Sequence, residues 1–425
     1  MGCSSCSFAT LIGALLSAAS VSASFAAQPL HPSLDGRVLC GYQGWFRTPD
    51  DPAKAGWRHY ARLRGGTWLP QTDYLPDVSE ASPETRSRLP LACTNGVAEV
   101  VSSDCRATVD RHFVWMRQYG IDGVFVQRFP TDLYHRELKP APFRDSADRV
   151  LGYCRDAAAA CGRSYALMYD LSGLGSNAAE VVAADWRHLV AGGVVRGAGD
   201  AAWQHHAGKP VIALWGVGFS DSRRYGLDAC ERLVAGFKAE GYAVLLGVPF
   251  YWRSLKADAV QDARLHALLR QADIVQSWSV GRFGDEAGVQ RAEAVWRDDA
   301  AWCRAGGLTF MPVVFPGFSW RNLKGQANSI ARRDGAFLWS QFGAARRAGA
   351  GCAYVAMFDE VDEGTQIFKV NPAPPQGEGF AYLSYGPLPP DHYLWLTGEA
   401  TRLFRSREPF PGAPPARAGR PRAGE

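Results

Sequence analysis

The chain carries almost no surplus charge. Its 425 residues include 46 basic and 42 acidic side chains, a net charge of +4, which supplies neither the basic face that nucleic acid demands nor a patch for an acidic membrane surface. No GxGxxG and no GxxxxGKS/T comes after any strand-like run, which argues against dinucleotide and nucleoside triphosphate binding. Beyond residue 27 no stretch approaches the roughly 20 consecutive apolar residues that span a bilayer. No membrane span is therefore expected. The acidic cluster at 359–363 has no adjacent His/Cys set to complete a metal site, so no metal and no cofactor are expected.

Residues 7–27, SFATLIGALLSAASVSASFAA, are apolar and end in small residues with A-x-A-like options at Ala23–Ala27. That is the form of a secretory signal peptide, although no Lys or Arg precedes it. The reading predicts removal of residues 1–27 and a secreted or periplasmic protein. Myristoylation is excluded, because Cys6 stands where the signal needs Ser or Thr. Without the leader eight cysteines remain. An even number permits disulfides, with Cys93/Cys105 and Cys154/Cys161 the close pairs, while Cys230 and Cys352 read as buried thiols in a helix and a strand.

What the chain has in quantity is apolar and aromatic surface: 47% hydrophobic residues, with 14 Trp and 15 Tyr. Eight apolar, strand-like runs begin at Arg37, Asp122, Ser164, Lys209, Ala243, Asp273, Thr309 and Cys352. Helical patterns lie between and after them, at 146–160, 178–190, 221–240, 258–271, 290–304, 333–348 and 391–405. Eight runs alternating with helices of this length predict an α/β fold, a closed (β/α)8 TIM barrel in a single domain over residues 28–407, better than an open doubly wound sheet. A Pro/Asp/Ser/Gly-rich stretch, 48–107, predicts a long loop after the first strand that walls the cleft. Within it Gly56-Trp57-Arg58-His59-Tyr60 offers an aromatic platform and a histidine, the latter read as a packing residue. Residues 408–425, rich in Pro, Gly and Arg, predict a disordered tail.

In a barrel the C-terminal strand ends converge on one rim. They carry Tyr42, Gln43, Trp45, Gln127, Arg128, Tyr169, Asp170, Trp215, Tyr251, Trp252, Arg253, Trp278, Arg282, Trp320 and Asn322. Aromatic rings interleaved with a few polar groups suit a carbohydrate, whose C–H faces pack on rings while its hydroxyls need donors and acceptors. Because side chains alternate along a strand, only some of these can face the cleft. The eighth run ends in FDEVDEGTQ, where Asp359, Glu360, Asp362 and Glu363 fall at the rim. Two carboxyl groups placed there suit glycosidic chemistry, with Glu360 aimed inward from the strand end and Glu363 brought over the site. Two other readings stand beside this one: a carbohydrate-binding barrel without turnover, and a metal-dependent hydrolase built on the same acids.

These motifs, GYQGWF, DGVFVQRF, MYDLSG, WGVGF, GVPFYWR, MPVVFPGFSW and FDEVDEGTQIFK, resemble glycoside hydrolase family 71/99-like proteins in order and over residues 37–405. The resemblance implies a (β/α)8 barrel and a glycosidase; with the leader read as a signal peptide, the expectation is a secreted, monomeric enzyme acting on an α-linked oligo- or polysaccharide. In the related family 99 endo-α-mannosidases an N-E-W-x-E-G-T motif holds the reacting pair, which falls here on Glu360 and Glu363, and the first strand's Tyr-x-x-Trp falls on Tyr42 and Trp45. The resemblance implies that Glu360 acts on a sugar 2-hydroxyl, that Glu363 is acid and then base, and that configuration is retained. Asp359 replaces the motif's Asn and is expected to contact substrate. Val361 replaces its Trp, which is expected to change the sugar-facing wall, and Phe368 stands near where a Glu is usual. Mannose specificity is therefore not carried over.

Overall fold

The structure, a computed structural model, describes residues 28–135, 138–325 and 329–417. The predicted leader lies outside them. Eight strands form the barrel: β1 (Val38–Tyr42), β2 (Gly123–Arg128), β3 (Ser164–Asp170), β4 (Lys209–Trp215), β5 (Ala243–Pro249), β6 (Ile274–Trp278), β7 (Thr309–Val314) and β8 (Ala353–Val355). Every neighbouring pair is parallel, β8 returns to β1 through Val38↔Ala353 to Cys40↔Val355, and β4 pairs with β5, so the sheet closes. Each strand starts within one residue of its predicted position. The reason is physical: strands covered on both faces must be apolar throughout, and such runs are visible without any partner.

The outer layer holds α1 (Arg106–Tyr119), α2 (Arg144–Cys161), α3 (Ala178–Ala191), α4 (Leu227–Ala239), α5 (Arg264–Leu269), α6 (Glu286–Ala305), α7 (Ala336–Arg347) and α8 (His392–Ser406). α1 was not among the predicted helices, and α5 is far shorter than the predicted 258–271. The segment before α5 is drawn into a rim loop instead, with Asp258 accepting from the backbone N–H groups of Phe250 and Tyr251. Among the described residues no helix is long and apolar enough to cross a membrane.

The loop after β1 is ordered by two small antiparallel ladders, Ala61–Arg64 with Thr67–Pro70 and Arg86–Arg88 with Glu99–Val101. Part of the predicted disordered tail is packed. Phe410 lies against Trp339 at 5.2 Å, Trp339 donates to the Pro411 carbonyl, and Arg417 makes a two-pronged ion pair with Asp391. Residues 418–425 of that tail lie outside the described set.

All eight described cysteines are free thiols, so neither close pair forms a disulfide. Cys154 and Cys161 sit seven residues apart on α2, about 10 Å along its axis, beyond the reach of a bridge. Gly41 of β1 has no alternative. A β-carbon there would lie 2.0 Å from the Tyr354 hydroxyl and 2.1 Å from the Met357 methyl, both of which fill the top of the barrel beneath the rim.

Candidate active site

β8 is only three residues long, and the chain leaves it in a tight loop rather than a helix. Met357 N–H donates to the Thr365 carbonyl, Ile367 N–H donates back to Met357, and Phe358 N–H reaches the Gly41 carbonyl of β1. The acids at 359–363 are thus presented on a loop pinned at its base. Arg332 braces the far limb, its Nη2 donating to the Gly364 and Gln366 carbonyls at 2.7 and 2.8 Å while Tyr74, Tyr385 and Tyr393 enclose its guanidinium at 4.6–5.0 Å.

The four acids have four different fates. Asp359 is buried and accepts the backbone N–H groups of Gln43 and Gly44 at 2.8 and 2.9 Å, so it staples the end of β1 to the end of β8. Burial pushes its carboxyl up to about 7 against those two N–H groups. Its expected contact with substrate is corrected to this structural role. Glu360 is buried and accepts from Gln43 Nε2 at 2.7 Å and Thr365 Oγ1 at 3.0 Å, one donor on each oxygen. Asp362 is buried, with one oxygen 2.9 Å from His59 Nδ1 and the other without a partner. Glu363 is half-buried, its backbone carbonyl held by Ser319 N–H at 2.8 Å.

Burial pushes both glutamates up, and like charge adds to it. Glu360 is raised well above the usual range by burial and then by Glu363 and Asp362. Glu363 is raised to about 7 by burial and Asp362, opposed by the Lys324 ammonium and by the Trp320 indole N–H, which approaches without closing a hydrogen bond. Two neighbouring carboxyls in such a site cannot both ionise readily, so the pair keeps a proton close to neutral pH. The donors on both oxygens of Glu360 favour its ionised form.

The remaining predicted residues divide by the two-residue period of a strand. Gln43, Gln127, Asp170, Trp215 and Trp278 come to the rim side. Gln127 Nε2 donates to the Tyr354 hydroxyl at 2.8 Å, Trp278 packs on Trp215 at 5.1 Å, and the Asp170 carboxyl accepts from Ser172 N–H at 2.7 Å and is raised by burial. Trp320 joins them from the loop after β7. That loop is held by Asp73, from the long loop after β1, which accepts from Arg321 N–H, Asn322 N–H and the Ser319 hydroxyl.

Their neighbours in sequence are turned away. Tyr42 is fully buried, its hydroxyl 2.9 Å from His112 Nδ1 of α1. Arg128 points between helices, ion-paired to Asp185 of α3 at 2.6 Å and to Asp148 of α2 at 2.7 Å. Trp252 is buried against Trp302, Arg253 pairs with Asp298 and Asp299 of α6, and exposed Arg282 pairs with Asp258. Tyr251 is 37% exposed, its ring set against Phe250. Val361 is fully buried and forms no wall, and Phe368 packs inside against His112 and Phe358.

Trp45 reaches the rim, but His59 covers its ring, stacked at 4.1 Å with 4° between planes, and Phe129 packs on it at 4.8 Å. His59 reads from the sequence as a packing residue. Its position beside Asp362 depends on a fold that joins residues 303 apart, for which no local signal exists. Arg223, also unpredicted, lies 5.2 Å over Trp215. Among the described residues no group of three or more His, Cys, Asp or Glu is gathered to hold a metal ion.

Three comparisons bear on this geometry. The profile of "Glycosyl hydrolase family 99" matches residues 283–406, the part holding β7, β8 and the acid-bearing loop. A glycoprotein endo-alpha-1,2-mannosidase-like protein of Danio rerio is 32% identical over 115 residues, 26% of this chain; the match spans a quarter of that relative's length. The GH99 endo-alpha-mannosidase structure from Bacteroides thetaiotaomicron superposes with a TM-score of 0.62 at 17% identity, covering 88% of this chain and 99% of that one; the same enzyme in complex with bis-tris-propane gives 0.60 at 16%. The likeness to those structures extends over the barrel, and the profile match falls on the segment that holds β7, β8 and the acidic loop. Over residues 283–406 the chain is similar to glycosyl hydrolase family 99, and its barrel has the fold of the family's solved structures.

Proposed function

We propose that the chain is a retaining glycoside hydrolase that cleaves an α-linked glycan, with Glu360 and Glu363 as the reacting pair. The observation that carries this reading is the placement of the two carboxyls, three residues apart on the loop after β8, both raised by burial and sharing their repulsion. In the first step Glu360 takes the proton of the sugar 2-hydroxyl, O2 bonds to the anomeric carbon, and the glycosidic C–O bond breaks as Glu363 gives its proton to the leaving oxygen. In the second, Glu363 takes a proton from water, the water oxygen bonds to the anomeric carbon, and the C–O2 bond breaks as Glu360 returns its proton. Two displacements at one carbon retain configuration. The reactive form of the pair has its one proton on Glu363: Gln43 and Thr365 favour it by donating to Glu360, against the burial that raises Glu360 further, and burial and Asp362 keep Glu363 a proton donor.

The names of the relatives make α-mannosides the first substrates to try, and the leader-like segment makes export part of the proposal. The test is hydrolysis of an α-linked oligosaccharide panel with the product anomer followed by NMR. Glu360→Gln and Glu363→Gln should each lose about 10²–10⁴-fold in kcat with no lowering of the melting temperature. An inverted product, or full activity in either variant, overturns the assignment.

The pH profile rests on the same shifts. Glu363 must carry its proton to act as acid; it is raised to about 7 and Glu360 further still, so the rate should fall as pH rises past the point, above about 7, where the pair gives up its last proton. Lys324 holds that group down. Lys324→Ala should move the basic limb to higher pH, and a limb that stays put would assign it to another group.

A further inference from the structure

We propose that His59 is a substrate-binding residue of this site, its Nε2 accepting a hydrogen bond from a sugar hydroxyl beside Glu363. The inference rests on the reading of the site as glycan-binding and names a contact within it.

Three observations place the imidazole. Its flanks are anchored: Arg47 and Arg58 exchange backbone hydrogen bonds, Arg58 stacks on Phe143 at 3.7 Å and pairs with Asp132, and buried Tyr60 donates to the Val101 carbonyl. Between those anchors His59 is held at φ +63°, a left-handed conformation uncommon outside glycine, of the kind that accumulates at ligand sites. Its ring is then fixed in orientation by the parallel stack on Trp45 and by the 2.9 Å contact from Nδ1 to Asp362.

The contact decides the tautomer. A carboxylate oxygen of Asp362 accepts, so Nδ1 carries the hydrogen, and in a neutral imidazole Nε2 is then an acceptor. The His59 side chain is 23% exposed, and no residue bonds its Nε2, which is not among the buried unpartnered atoms. The open acceptor therefore meets whatever enters from solvent, on the residue whose partner lies between Glu360 and Glu363 in the loop. Polar atoms beside the imidazole and the two glutamates are also unfilled: Trp45 Nε1 and Asp362 Oδ1 on the residues that touch His59, Gln43 Oε1 on the donor to Glu360, and Trp320 Nε1 near Glu363 are buried with no partner. Such clustered orphans are what a polyhydroxylated ligand would satisfy.

The experiment uses the full chain and α-1,2-mannobiose as probe, on a Glu363→Gln background so that nothing depends on turnover. Imidazole ¹⁵N NMR should find His59 Nδ1 protonated and Nε2 bare, and the Nε2 resonance should shift when the disaccharide is added. His59→Asn places an amide N–H where Nδ1–H lies and removes the Nε2 acceptor. By calorimetry it should bind the disaccharide about ten-fold more weakly at an unchanged melting temperature, whereas a residue that only packs would lower the melting temperature and leave affinity alone. A bare Nδ1, equal affinity in His59→Asn, or no binding to either form overturns the inference. Absence of hydrolysis by the wild-type chain with the NMR and affinity results intact overturns the proposed function instead and leaves the contact standing.

Discussion

At the scale of the residue, adjacent side chains at one strand end do opposite work. Gln127 turns to Tyr354 inside the barrel, while Arg128 is buried between α2 and α3 with Asp148 and Asp185. Composition alone marks both as sugar ligands, and the period of two that separates them is a property of any strand; what the sequence could not supply was the phase, because β2 is buried on both faces and shows no polar side. The outcome predicts a split. Arg128→Met leaves the carboxylate of Asp185 uncompensated in the interior, at a cost of about 3–5 kcal/mol, read as an earlier urea midpoint at unchanged slope. Gln127→Ala should leave that midpoint nearly in place and weaken substrate binding, read as a higher KM. If Arg128→Met kept full stability and lost affinity, the residue would belong in the cleft after all.

At the scale of the element, the loop after β8 was legible as four acids, and its supports were not. Glu360 and Glu363 stand out because a run of buried apolar residues ends on them. Thr365 from within the loop, and Gln43, Asp73, Ser319 and Arg332 from other segments, position them, and Asp73 in particular lies 246 residues from the Ser319 hydroxyl it accepts from. No local pattern carries such a pairing. Asp73 ties the long loop after β1 to the segment bearing Trp320, whose neighbour Ser319 holds the Glu363 carbonyl. Asp73→Asn keeps one oxygen to accept from Ser319 Oγ and Arg321 N–H but turns its amide N–H donors toward Asn322 N–H, losing roughly one hydrogen bond, about 1 kcal/mol. The expected result is a drop of up to ten-fold in kcat/KM on the substrate found by the panel. A variant that melted earlier yet kept kcat/KM would show that the tie serves the fold and not Trp320.

At the scale of the whole molecule, barrel closure makes β8 and β1 neighbours, and this turns two distant sequence ends into one site. The count of eight runs was enough to foresee it, since each strand had to be apolar on its own account. The ladders inside the long loop, the shortening of α5 and the docking of residues 408–417 depend on surfaces that exist only after the barrel has closed. Closure also buries an unusual set of acids, with a consequence for stability. Asp359, Glu363 and Asp299 are all raised to about 7, chiefly by burial, and Glu360 further still. A carboxyl whose folded value exceeds its unfolded value of about 4 binds protons more tightly when folded. Its stabilisation is complete below about pH 4 and is lost as pH rises toward 7. Asp391 runs the other way: partial burial is outweighed by Arg417 and Tyr119, it lies near 2, and its contribution is lost only as pH falls from about 4 toward 2. The two windows meet near pH 4–5, so the melting temperature, measured calorimetrically without ligand, should peak there and fall by several degrees toward pH 8. Replacing Glu363 by Gln removes one of the raised groups and should flatten the slope between pH 5 and 8. A profile that rose toward neutral pH, or a slope unchanged in that variant, would mean that these carboxyls are solvated in the free protein and that the site opens more widely than its geometry here allows.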